Sequence, residues 1–129
     1  MSLLPLLLLS LCVPGDVDRT PLQTVKAFNV AYDARDLRGV RAVLAPDAVV
    51  RDDSGEITGA DVIQNYASHV FKVDPPFVAT QLETISTADL VAETIAFTGG
   101  GQDPLTSLNV YRVAGGCIVA MTSNLSAPE

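Results

Sequence analysis

The sequence predicts an α+β fold: three helices packed on a curved, cone-shaped antiparallel sheet with a pocket inside. Two observations carry this. Apolar residues recur at helical spacing up to Phe71 and at strand spacing from Phe77 onward. The second half is broken at Thr87-Ala88-Asp89, Gly99-Gly100-Gly101 and Gly115-Gly116, where hairpins need turn residues. Helices first and strands after is the order of a sheet with helices gathered on one face.

Each element has its own signal. Thr20 is an N-cap followed by Pro21, which suits the first helical position, and Leu22, Val25, Phe28 and Tyr32 form one stripe. A second, shorter helix is capped by Asp36, carries Leu37, Val40 and Leu44 on one face and is stopped by Pro46. "AVVRD" reads as a short strand and "SGEITG" as a loop. Gly59 to Phe71 is the third helix, with Val62, Ile63, Tyr66, Ala67 and Val70 inward, closed off by "DPP" at 74 to 76. Strands follow at Phe77–Ile85, Leu90–Thr98, Leu105–Ala114 and Cys117–Ser123, rich in Val, Ile, Thr and aromatic residues.

A chain of 129 residues has room for one core, and 48% hydrophobic with 18% charged residues is a globular composition. A net charge of −7 excludes the basic footprint that nucleic acid requires. The apolar run from Leu3 to Cys12 or Val13 is too short to span a bilayer. It has the length of a secretory h-region, with Val13-Pro14-Gly15 as small residues for cleavage, but no Lys or Arg precedes Arg19. Residues 1–18 therefore read as a leader or N-terminal extension, 19–126 as the domain and 127–129 as a tail. A cytoplasmic location is favoured, or a secreted one if residues 1–15 are a signal. Cys12 and Cys117 pair only if the leader is retained and packs near the last strand, and no disulfide framework is implied. With one histidine, His69, and no cysteine in ligand spacing, no metal is expected. His69 itself complements the end of the third helix.

The order of elements, with "DLRGVRAVLAPDAVVRDDSG" and "TGADVIQNYASHVF", resembles the nuclear transport factor 2-like (cystatin-like) superfamily, and within it the ketosteroid isomerases and SnoaL-like proteins. The resemblance runs from Thr20 to about Leu125. It implies a homodimer joined through the outer sheet face, no cofactor, and a catalytic aspartate at Asp52, at the end of "APDAVVRDD". The isomerases polarise the substrate carbonyl with a tyrosine and a protonated aspartic acid, an arrangement that is a standard worked case of pKa tuning. Those positions fall on Phe28 and Asn109, so half of that donor pair is missing.

Tyr32, one helical turn beyond Phe28, and Tyr111, two residues beyond Asn109 on the same strand face, are available replacements or else core tyrosines. Tyr66 joins them as a binding residue on the inward stripe of the third helix. Asn109 alternates with Leu105, Ser107, Tyr111 and Val113 on one mixed face, as a pocket lining does. Arg51 points away from Asp52, to the surface. Glu93, between Val91 and Ile95, faces either the pocket or a dimer interface. The expected function is isomerase-like acid/base chemistry on a hydrophobic, carbonyl-bearing small molecule such as a steroid, terpenoid or polyketide, with Asp52 as base and Asn109 stabilising the enolate. The alternatives are a non-catalytic apolar-ligand-binding or dimerisation module of the same fold, and an epoxide hydrolase or polyketide cyclase. The last is weakened because Ser68 stands near the position where some cyclases carry a glutamate.

Overall fold

The computed structural model describes residues 11–126. Most of the apolar leader and the tail at 127–129 lie outside them. Helix α1 (Pro21–Asp33) begins at Thr20, whose hydroxyl accepts from the Gln23 amide at 3.1 Å while the Gln23 side chain accepts from the Thr20 amide at 2.9 Å. This reciprocal cap satisfies two amides that the first turn would leave unpaired. Thr24, Val25, Phe28 and Ala31 are buried beneath it. Helix α2 (Leu37–Arg41) is capped by Asp36, and helix α3 (Gly59–Ser68) by Thr58 and Asp61 in the same reciprocal form as α1. A single 3-10 turn, Val70–Lys72, follows α3, so the third helix ends at Ser68 instead of running to Phe71. Gly59 lets α3 lie on the sheet: a Cβ there would stand 2.1 Å from the Ala45 carbonyl oxygen.

Six strands, β1 (Leu44–Asp52), β2 (Gly55–Thr58), β3 (Phe77–Thr87), β4 (Leu90–Gly99), β5 (Leu105–Ala114) and β6 (Cys117–Ser126), form one sheet in the order β2-β1-β6-β5-β4-β3. All neighbouring pairs are antiparallel except β1 with β6, which run parallel. Three expectations are corrected here. Leu44 is buried, but on β1 and not on a face of α2. Pro46 does not stop a helix; it sits in the irregular stretch of β1 between Leu44 and Val49, where the pairing with β6 shifts register and a missing N–H breaks no ladder. The "SGEITG" loop contains β2, paired with β1 from Val49↔Thr58 to Asp52↔Gly55.

The helices cover one face of the sheet. Val91, Glu93 and Ile95 of β4, Ser107, Asn109, Tyr111 and Val113 of β5, and Met121 of β6 are buried on that face. At the other end of the core, residues 12–19 form a strap over the β5–β6 hairpin. Cys12 and Cys117 are joined by a disulfide, the Gly15 amide donates to the Gly115 carbonyl at 2.9 Å, and Arg19 donates to the carbonyls of Gly116 at 2.7 Å and Ala42 at 2.9 Å. The pairing that required a retained leader is therefore present, through Cys12 at its end.

The disulfide spans 105 positions of sequence, so it removes the entropy of a very long loop from the unfolded chain. Cys117→Ser, or reduction of the native protein, is expected to lower the unfolding free energy by about 3 kcal/mol, read as a fall in the urea midpoint. An unchanged midpoint would show that the disulfide contributes nothing to stability.

Candidate functional site

Strand register brings the polar residues of the covered face into one row. Glu93 lies opposite Asn109, and Asn109 opposite Ser123. Tyr111, two residues along β5, points the same way, and Asn29 descends from α1. Glu93 is 2% exposed, and a carboxylate at that depth must be met by donors. Tyr111 Oη donates to its Oε1 at 2.6 Å and Asn29 Nδ2 to its Oε2 at 3.1 Å. Asn109 Nδ2 donates in turn to Tyr111 Oη at 3.0 Å. The Ser107 and Ser123 hydroxyls, 3.1 Å apart, both donate to Asn109 Oδ1, at 2.5 and 2.9 Å. The hydrogen bonds of this series all run towards Glu93, and no salt bridge reaches that carboxylate among the described residues.

This network forms part of the wall of a cavity of about 290 Å³ between α1, α3 and the sheet. Phe28, Tyr32, Tyr66, Phe77, Phe97 and Tyr111 line it, with Ile95, Leu105, Met121 and Leu125 as aliphatic walls and Asn29, Gln102, Asn109 and Ser123 as polar points. The rings touch one another: Phe28 stands 6.1 Å from Tyr111 and 6.5 Å from Tyr66, and Tyr32 meets Tyr66 edge-on at 5.6 Å. Phe71 packs behind, 5.0 Å from Tyr66 and 5.8 Å from Tyr32. The chain has four phenylalanines, three tyrosines and no tryptophan, so all of its aromatic side chains gather at this one place. A second cavity of about 290 Å³, between α1 and β3, shares Asn29 with the first and reaches Glu93 from the other side, past Lys26, Asp33 and Thr84.

Of the residues expected to make the site, Phe28, Tyr32, Tyr66, Asn109 and Tyr111 line the first cavity. Asp52 does not. It is exposed at the β1–β2 turn, where its Oδ1 accepts from the Ser54 amide at 2.8 Å and the Ser54 hydroxyl at 2.6 Å. Alternation with Ala48 and Val50, both buried, gives it the inward phase, but residues 51–58 extend past the part of the sheet that the helices cover, and all of them are exposed. The Ser54 hydroxyl first, and then its amide, hold the Asp52 carboxyl below the ordinary range. That stabilises the turn above the unfolded value and is lost as pH falls through the folded one, the reverse of what a base at neutral pH needs. Arg51 is on the surface as expected, paired with Glu56. Glu93 faces inward, as its in-phase position between Val91 and Ile95 allowed. Asn29, on the inward edge of the Val25–Phe28 stripe, and Ser123, opposite Asn109, were legible only once the register was known. His69 ends α3 and is exposed. Among the described residues no group of His, Cys, Asp and Glu is arranged to hold a metal ion.

Burial raises the pKa of all three tyrosines. Tyr32 is pushed up to about 12, Tyr66 is raised further, and Tyr111 stands well above the usual phenol value, with the neighbouring Glu93 charge adding to burial. In the unfolded chain these phenols ionise near about 10. Above that pH the native state holds protons that the unfolded state has lost, so stability falls as pH rises. Tyrosinate absorbance of the native protein is expected to stay flat past about pH 10 and then rise together with the loss of far-ultraviolet circular dichroism. Ionisation of even one tyrosine at its ordinary pH in the folded protein would contradict this.

Residues 25–121 match the SnoaL-like domain family. No curated protein matches the chain by sequence. Among solved structures, IdmH of Streptomyces antibioticus, a candidate polyketide cyclase, superposes with a TM-score of 0.72 at 22% identity, covering 84% of this chain and 93% of that one. A loop-truncated variant of IdmH is 25% identical over 83% of this chain and 93% of its own, also at 0.72. An epoxide hydrolase of the LEH-like type from M. tuberculosis gives 0.69 at 20% identity, covering 82% of each chain.

Proposed function

The chain belongs to the SnoaL-like family, within the nuclear transport factor 2-like superfamily, and on that premise we propose that it holds a predominantly apolar, ring-bearing small molecule of the steroid, terpenoid or polyketide kind in the aromatic cavity. The observation that carries this reading is the gathering of every aromatic side chain at one cavity. A core needs apolar volume, but it has no need to place six of its seven rings around a space, with Phe71 packed behind them. The volume of about 290 Å³ lies at the small end of ligand sites. A two-ring ligand losing about 250 Å² of apolar surface there would gain on the order of 6 kcal/mol before the entropic cost of association is met. The proposal requires no cofactor.

A second reading, acid/base turnover of such a ligand, is favoured by Glu93, a buried carboxylate one hydrogen bond behind the cavity wall. In that reading the base is Glu93 acting through Tyr111, with Asp52 taking no part. The disulfide bears on location: such bonds persist in oxidising compartments, and a cut after Val13-Pro14-Gly15 would remove Cys12. This weighs against the cytoplasm. We also infer a homodimer through the outer face of the sheet, where Val78, Ile85, Leu90 and Leu108 are exposed on neighbouring strands.

Titration with a panel of steroids, terpenoids and aromatic polyketides, followed by thermal shift and tyrosine fluorescence, is expected to find saturable binding. Ala79→Trp, which fills the cavity, should abolish it, and Asp52→Asn should leave it unchanged. Binding that survives the first substitution and fails with the second would refute the assignment. If a β,γ-unsaturated ketosteroid is turned over, Glu93→Gln is expected to stop conjugation of the product and Asp52→Asn to spare it. Light scattering is expected to give twice the chain mass of 13.6 kDa, and Leu108→Glu to return the monomer; a wild-type monomer at micromolar concentration would end the dimer proposal.

A further inference from the structure

The three tyrosines at the cavity are not equivalent. Tyr111 has its proton committed to Glu93 and its oxygen occupied by Asn109. Asn109 has its carbonyl oxygen occupied by two serine hydroxyls, whose own protons are thereby used. The sheet side of the cavity is thus largely committed to internal hydrogen bonds, with the second amide proton of Asn109 left over. The helix side is open. Tyr32, from the last turns of α1, and Tyr66, from α3, meet edge-on with ring centroids 5.6 Å apart, and both line the cavity. Neither hydroxyl has a hydrogen-bond partner among the described residues, whereas Tyr111 has two.

A tyrosine sunk into an apolar site normally finds a partner for its hydroxyl. Two that lack one within the protein, side by side on the same cavity and still reachable from it, are free to bond to whatever enters, water or ligand. We propose that the Tyr32 and Tyr66 hydroxyls are a two-donor clamp for a neutral acceptor oxygen of the ligand, a carbonyl above all. This rests on the cavity reading above and names the chemistry of its polar end. Both phenols stay protonated throughout the physiological range, so both are present as donors. An anionic group is disfavoured, because Glu93 lies just behind the opposite wall and the chain carries a net charge of −7.

Two probes of nearly the same shape test this, 2-acetylnaphthalene and 2-isopropylnaphthalene, in which the carbonyl oxygen is replaced by a methyl group. Wild-type protein is expected to bind the ketone about tenfold more tightly, the value of one or two hydrogen bonds, and to shift the bound carbonyl stretch to lower frequency. Tyr32→Phe and Tyr66→Phe keep the rings and their packing. Together they should remove the preference and return the stretch to its apolar-solvent position, while the hydrocarbon binds as before. Equal affinity of wild type for the two probes, or a preference and a shifted stretch that persist in the double variant, would overturn the clamp and leave the cavity reading standing. Binding of neither probe would overturn both.

Discussion

Glu93 imposes the constraint from which the rest of the site follows. Strand alternation carries its carboxylate to the covered face between Val91 and Ile95, where it is 2% exposed. A charge there, with no cation beside it, is tolerated only if donors are fixed around it. Tyr111 and Asn29 supply them, one from the neighbouring strand and one from α1. Tyr111 then needs its oxygen satisfied and takes Asn109, whose own carbonyl takes Ser107 and Ser123. One buried charge on β4 therefore fixes five side chains across two further strands and a helix. The cavity wall is held in place because each member bonds to the next. Removing Tyr111, Asn109 or Asn29 leaves a buried polar atom unpaired, at a cost of about 1 to 3 kcal/mol, whereas either serine can go with the other still bonded to Asn109 Oδ1.

The aromatic side chains supply the complementary half. A wall of satisfied polar groups would hold a ligand poorly by itself, since its hydrogen bonds are internal. The rings supply the apolar surface, and their tilted and edge-on contacts at 5.0 to 6.5 Å hold the space open between α1 and α3 without filling it. The strap at residues 12–19 acts at a distance. It ties the β5–β6 hairpin to the end of α2 and so secures the strands that carry Asn109, Tyr111 and Ser123.

Much of this architecture is written locally. Thr20-Pro21 and the Leu22, Val25, Phe28 stripe specify α1 because cap, proline and period agree. The glycine pairs and triplets mark the hairpins because L side chains resist the positive φ found at Gly99, Gly100, Gly101, Gly115 and Gly116. What was misread has physical causes. Leu44 stands four residues beyond Val40, a helical spacing that Val43, Leu44 and Ala45 override by being buried together as the chain enters β1. The strand β2 is exposed along its whole length and so shows no apolar alternation to read. Asp52 was placed by likeness to a family motif. Its phase was right, but its position lies beyond the cover of the helices, which depends on how far the β1–β2 hairpin extends and not on the strand's own sequence. Glu93 left a signal, an acid in phase with two buried aliphatic residues, but its meaning rested on Tyr111 and Asn29 arriving from elsewhere in the chain.

The central claim is that the space bounded by the aromatic rings, and not the turn at Asp52, is the working site. Nuclear magnetic resonance of the protein titrated with a two-ring aromatic ketone tests it directly. The account predicts shifts of the Phe28, Tyr32, Tyr66, Phe97 and Tyr111 ring signals and of the Asn109 side-chain amide, with the backbone of residues 52–56 unmoved. Shifts centred on Asp52, Ser54 and Glu56, with the ring signals unchanged, would contradict it.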